Sequence, residues 1–120
     1  GFGFGGPCFP RDNRAFASYA SKVGIDHNIG SVTDAFNEDH ATFLKEFFIR
    51  KNKKKLPFLF KYLAYKPDTD ILTESQQYRL CMDLLNEGYI VYSSDFSLKE
   101  KSDSRIIFEE PTQEVFEIKL

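Results

Sequence analysis

The sequence predicts an α/β chain: a glycine-rich loop and helices, followed by a βαβ lobe with a mainly parallel sheet. Three observations carry this. Apolar residues recur at helical spacing up to residue 51. From Leu56 the pattern changes to short, continuous apolar runs of the kind that form buried strands. Those runs are separated by a polar loop and one helical segment, which is the order of a βαβ unit.

The chain opens with Gly1, Gly3, Gly5 and Gly6, leading through Pro7 to Cys8, Phe9, Pro10, Arg11 and Asp12. Without Cβ atoms, this backbone can bend tightly and approach a ligand closely. The segment after Pro10 reads as a helix, with Ala15, Phe16, Tyr19, Ala20 and Val23 on one face and Gly24 as its stop. A longer helix follows. Ser31 or Thr33 starts it and Asn52 ends it. Val32, Ala35, Phe36, Phe43, Leu44, Phe47 and Phe48 form an apolar stripe interrupted by His40. Such a stripe needs a covering surface, supplied either by the chain itself or by a second copy.

The run Arg50, Lys51, Asn52, Lys53, Lys54, Lys55 comes next. It reads as a solvated connection whose charges suit a helix C-terminus; a phosphate-binding patch is the sharper alternative. Residues 56–63 read as a buried strand with Pro57 at its edge. Residues 66–73 form a polar loop. A helix is expected at 74–87, with Tyr78, Cys81, Leu84 and Leu85 inward and Gly88 as its stop. The next strand is expected at 89–92. Asp95 ends it, as a ribose-binding acid or a turn acid. Residues 97–104 read as a charged loop and 105–109 as a third strand. Residues 114–120 fit strand or helix. The layout divides into 1–55 and 56–120. In open sheets of this kind ligands bind at the carboxyl ends of the strands, which puts Tyr65 and Lys66 on the ligand side.

Composition narrows the function. A formal net charge of −2 gives no overall pull toward nucleic acid. No apolar run approaches the ~18–20 residues of a membrane span. The glycine-rich start does not read as a signal peptide. Cys8 and Cys81 make no disulfide framework, and no His/Cys cluster has metal spacing, so no metal is expected and His27 and His40 read as surface or helix-face residues. A cytoplasmic protein is the expectation.

The chemistry concentrates at Cys8. A thiol is a nucleophile as its thiolate, and a position just ahead of a helix N-terminus favours an anion. Arg11 adds a positive charge. Asp12 is placed to hold a water as general base, or to cap the helix. The opposing reading is a small inert cysteine beside a helix cap. Gly1, Gly3 and Gly6 also satisfy G-x-G-x-x-G, but no strand precedes them, so they do not read as a dinucleotide fingerprint.

Residues 3–12, Gly-Phe-Gly-Gly-Pro-Cys-Phe-Pro-Arg-Asp, resemble the G-F-G-G-x-C-F-P-K-D signature of the UDP-glucose/GDP-mannose dehydrogenase family. A second motif, residues 63–70, Leu-Ala-Tyr-Lys-Pro-Asp-Thr-Asp, resembles the family's L-A-Y/F-K-P-x-T-D, and Glu74-Ser75 follows at its spacing. The resemblance covers most of residues 1–95, and the first motif is nearest to the UDP-glucose 6-dehydrogenases. It implies a Rossmann-like second lobe, a homodimer through the helix at 31–50, and NAD-dependent two-step oxidation of a nucleotide-sugar alcohol to a carboxylate. It implies Cys8 as nucleophile and Asp12 at the hydrolytic water. The backbone of Gly3, Phe4 and Gly5 would line the sugar, with Tyr65 and Lys66 meeting the nucleotide-sugar. Phe9, Pro10 and Arg11 would face the nicotinamide. GDP-mannose or a UDP-N-acetylhexosamine are alternative substrates within the family. A non-catalytic dimerising module is the alternative outside it. Tyr62 stands where the family has glycine, and Thr73 where it often has arginine. At 120 residues, the expectation is a fragment that holds little of the NAD site and does not turn over substrate alone.

Overall fold

The structure, a computed structural model, describes residues 1–119. It is elongated, with extents of 56 × 30 × 21 Å, because a pair of helices projects from a small α/β lobe. The first helix, α1 (Phe9–Lys22), begins earlier than expected, with Pro10 in its first turn. Proline is tolerated there because the first-turn N–H groups have no partner within the helix. The turn after α1 is closed by Gly24 at φ 84°: its N–H donates to Ser21 O, and that of Ile25 to Ala20 O. This is the Schellman arrangement, which needs a left-handed residue at that point.

The second helix, α2 (Ile29–Lys51), is capped by Asn28, whose side chain accepts from Ser31 N, and not by Ser31 or Thr33. Where the two helices cross, a Cβ on Gly30 would come within 2.9 Å of Asn13 O. Asn13 Nδ2 donates to Gly30 O there at 2.8 Å. The inward seam of α2 is Gly30, Asn37, Ala41, Leu44 and Phe48. The expected stripe therefore splits. Leu44 and Phe48 enter the core, while Val32, Phe36 and Phe43 are exposed on the opposite side. On α1 only Ala20 of the expected face is buried; Phe16, Tyr19 and Val23 are open.

Asn52 ends α2 and folds the basic run back. Its side chain accepts from Leu56 N (2.9 Å) and donates to Leu56 O (2.7 Å), which delivers the chain into β1 (Phe58–Phe60). The strand is shorter than the apolar run, and Pro57 lies just ahead of it. Ser75 caps α3 (Gln76–Asn86), and Gly88 closes that helix with a second Schellman arrangement. Buried residues of α3 are Gln76, Leu80, Cys81 and Leu84. β2 (Val91–Ser93) pairs in parallel with β1, Phe58 opposite Val91.

Two expectations of the last part are corrected. Residues 97–104 are not a plain loop, for a 3₁₀ helix spans Phe96–Lys101 and buries Leu98. Residues 105–109 make a single bridge, Ile107 to Tyr92, because a turn built on Asp103 starts the run and pairing ends after one rung. The third strand is β3 (Phe116–Glu117), parallel to β1 on its other side, giving the order β2-β1-β3. One hydrophobic core joins the sheet, α3 and the second half of α2, with Phe58, Phe60, Leu63, Leu84, Val91 and Leu98 sealed inside.

Candidate active site

The glycine loop lies between α2 and the α/β lobe, and its glycines are used against the protein itself. A Cβ on Gly3 would strike Asn37 Oδ1 at 2.0 Å, and one on Gly5 would strike Glu74 O at 2.2 Å. Gly6, at φ 87°, would meet the Tyr65 ring at 2.6 Å. Asn37, buried on α2, donates from Nδ2 to Phe4 O at 3.0 Å. The Phe4 ring meets Phe9 edge-on, with centroids 4.7 Å apart. The loop is thus fixed on both flanks, and its last residue touches Tyr65 of the second motif.

Cys8 is the N-cap residue of α1 and is exposed. Its backbone is already helical (φ −99°, ψ −65°), its side chain caps nothing, and its carbonyl accepts from Asp12 N at 2.9 Å. The thiol therefore sits at the positive end of the helix dipole. Asp12 is not the cap, because the helix starts too early for it to reach back. Its Oδ1 instead accepts from Arg11 Nε at 2.8 Å. That hydrogen bond is the first cause raising the Arg11 guanidinium above its ordinary range, with the Asp12 charge and then Cys8 adding. Phe9 and Arg11 are exposed beside Cys8, whereas Pro10 is buried. Any part Pro10 takes is through the chain direction it sets. Cys81 is the opposite case: burial, with Asp103 adding, pushes its thiol up to about 12.

The second motif follows β1. Leu63 and Ala64 are buried, Tyr65 is half-buried, and the Lys66 ammonium lies 5.4 Å from the Tyr65 ring centroid. Tyr65 N donates to Ile71 O and closes the 66–70 loop. A groove of about 480 Å³ opens at the carboxyl ends of β1 and β2, lined by Tyr62, Lys66, Asp68, Thr69, Asp70, Asp95 and Ser97. Asp95 holds the groove floor: Oδ2 accepts from Leu63 N (2.9 Å) and Oδ1 from Ser97 Oγ (2.9 Å). It serves as a turn acid. Asp70 pairs with Lys101, which holds its carboxyl below the usual range.

Three polar residues to which the sequence pattern assigned no role assemble this region. Ser75, buried, donates from Oγ to Leu63 O at 2.6 Å while capping α3. Arg14 joins α1 to Asp34 on α2 and to Glu74 before α3. Asn37 anchors the loop. The available signal was a polar residue inside an apolar seam, at Asn37, and a serine just ahead of a helical run, at Ser75. Arg14 carried none, since its partners are remote in sequence. Among the described residues no group of three or more His, Cys, Asp or Glu could hold a metal, and no helix is long and apolar enough to cross a membrane.

Parallel strands flanked by helices, with a groove at the strand ends, define a Rossmann-type α/β fold. Solved structures agree. A GDP-mannose dehydrogenase from Pseudomonas aeruginosa matches with TM-score 0.75 and 23% identity, over 92% of this chain and 28% of that one. A UDP-glucose dehydrogenase from Pyrobaculum islandicum matches with TM-score 0.72 and 24% identity, over 91% and 27%. Sequence relatives name the same enzymes. The UDP-glucose 6-dehydrogenase of Pseudomonas aeruginosa is 34% identical over 99 residues, 79% of this chain and 22% of that protein. The GDP-mannose 6-dehydrogenase of that organism is 30% identical over 89 residues, 74% and 20%. No family model matches. The chain is homologous to the nucleotide-sugar 6-dehydrogenases and spans about a fifth of their length.

Proposed function

We propose that this chain serves in a UDP-glucose 6-dehydrogenase-like enzyme, providing the cysteine nucleophile in residues 1–55 and part of the nucleotide-sugar lobe in 56–120. The observation that carries the reading is the exposed Cys8 at a helix N-terminus, on a loop packed against Tyr65 of the groove side. Its sulfur adds to the C6 aldehyde of the sugar and holds it as a thiohemiacetal, which keeps a reactive aldehyde from escaping. After the second oxidation the same sulfur carries a thioester. Asp12 orients the water that hydrolyses it, and Arg11 holds the Asp12 carboxylate. Lys66 offers a cation to the nucleotide-sugar from the rim of the groove. The chain's residues suit a nicotinamide beside Cys8, with an exposed aromatic ring at Phe9 and a guanidinium at Arg11. NAD, when bound, supplies the hydride acceptor for both oxidations.

The test is titration calorimetry with UDP-glucose, combined with iodoacetamide labelling. Binding heat and slowed Cys8 alkylation support the reading. Absence of both at millimolar ligand overturns it, and a preference for GDP-mannose moves the substrate within the family.

A second reading rests on the outer face of the helix pair, where Phe16, Tyr19, Val23, Ile29, Val32 and Phe36 are exposed together. Patches of this kind mark interfaces. We assign it to a homodimer through α2, compatible with the enzymatic role or with a non-catalytic module. Sedimentation should show concentration-dependent association that Phe36→Asp abolishes; a wild-type chain that stays monomeric removes this assignment.

A further inference from the structure

We propose that Arg14 is a positioning residue: its guanidinium locks the Cys8 helix to the far end of the Lys66 loop, and so sets the relation between thiol and groove. The proposal rests on the reading of Cys8 as nucleophile. Arg14 stands on α1 beyond Cys8 and Asp12. Its Nε lies 3.1 and 3.2 Å from the two Asp34 oxygens of α2, while Nη1 and Nη2 reach the two Glu74 oxygens at 2.7 and 3.3 Å. A planar fork with fixed donors suits this two-sided grip, and lysine cannot reproduce it. Among the described residues, Glu74 is the one residue of 56–119 that a side chain of α1 reaches by hydrogen bonding.

The placement of Glu74 gives this grip its meaning. Glu74 ends the loop that starts at Tyr65, adopts a left-handed backbone at φ 53°, and is followed by Ser75, which is tied to Leu63 O. Its carbonyl is also the atom against which Gly5 packs. The thiol loop therefore meets the groove loop at both its ends, Gly6 at Tyr65 and Gly5 at Glu74, and Arg14 holds the second of these from the helix side. Both carboxylates turn toward one cation, which is raised above its usual range chiefly by the hydrogen bond to Glu74 and then by that to Asp34.

The test attaches a trifluoromethyl ketone label to Cys8 with bromotrifluoroacetone, leaving buried Cys81 unlabelled, and reads ¹⁹F resonances of the whole chain. The expected wild-type signal is a single line displaced from its position in urea. Arg14→Gln and Glu74→Gln should each lose at least half of that displacement. Arg14→Lys should fall between. Folded Arg14→Gln and Glu74→Gln variants whose lines coincide with wild type overturn the proposal. Should either variant fail to fold, a salt titration of the wild-type chain decides: raising NaCl to 1 M screens the half-exposed grip and should move the line toward the urea position, and an unmoved line overturns the proposal. Failure of UDP-glucose to protect Cys8 would remove the nucleophile reading while leaving this geometric result readable.

Discussion

The ring of Tyr65 lies so close to Gly6 that a Cβ there would come within 2.6 Å of it. The two sequence motifs thus touch in the folded chain, and the contact depends on the missing side chain. Gly6→Ala should destabilise by about 1–3 kcal/mol for the left-handed backbone alone, with the clash adding to it. Adding Tyr65→Ala should recover the clash component but not the backbone component. Urea denaturation of the single and double variants measures both; equal midpoints for Gly6→Ala and wild type would contradict the packing.

Asn37 is the polar residue in the buried seam of α2, and Phe4 O is its partner. Asn37→Ala should cost about 1–3 kcal/mol, since a shielded carbonyl is left without a donor. The effect should be local. Amide hydrogen exchange should accelerate at Gly3 to Gly6 and stay unchanged in α3.

The two thiols should separate completely by chemistry. Cys8 is exposed, while Cys81 is buried with its thiol pushed up to about 12. At neutral pH, iodoacetamide should add one carbamidomethyl group to the native chain, at Cys8, and two in urea. Raising the pH to 9 should not recruit Cys81 in the native chain, because its neutral form still dominates and the site is closed. Peptide mass spectrometry reads the position.

Acid should weaken the fold through several carboxylates at once. Glu38 is held below its usual range first by its hydrogen bond to Arg79, Asp103 by Arg105, and Glu117 by Lys119 and then Lys61. A lowered folded value means stability that is present above the unfolded value, about 4 for these groups, and lost as pH falls through the folded ones. The melting temperature should therefore be flat from pH 5 to 8 and fall below about pH 4. Glu38→Gln should reduce the acid drop and lower the neutral plateau only slightly, because these pairs are partly solvated. A melting temperature that rises on acidification would contradict this assignment.

The architecture was legible where one segment decides it. The strand–loop–helix–strand order, the stops at Gly24 and Gly88, and Cys8 at a helix start all follow from local pattern. What was hidden depends on pairing between distant segments. The 105–109 run has strand composition, yet a turn at Asp103 leaves it one rung, and the third strand went to Phe116 and Glu117 because β1 has a free edge there. The apolar stripe of α2 reads as one face from spacing alone. Only the placement of α1 and α3 shows that Leu44 and Phe48 turn inward while Val32 and Phe36 turn out. At the candidate site the residue types were readable. The reason for the glycines was not: Gly3, Gly5 and Gly6 make room for Asn37, Glu74 and Tyr65, which lie far along the chain.

The central strand has both its partners downstream. Phe58 waits for Val91 on one side and for Phe116 on the other, and among the described residues no hairpin is available to start the sheet. Such non-local parallel pairing is slow to form because the intervening chain must close first. During synthesis the helix pair leaves the ribosome well before β3 exists. Refolding should accordingly be rate-limited by docking of the 116–118 segment, and a chain shortened before Phe116 should expose the edge of β1 and aggregate through it.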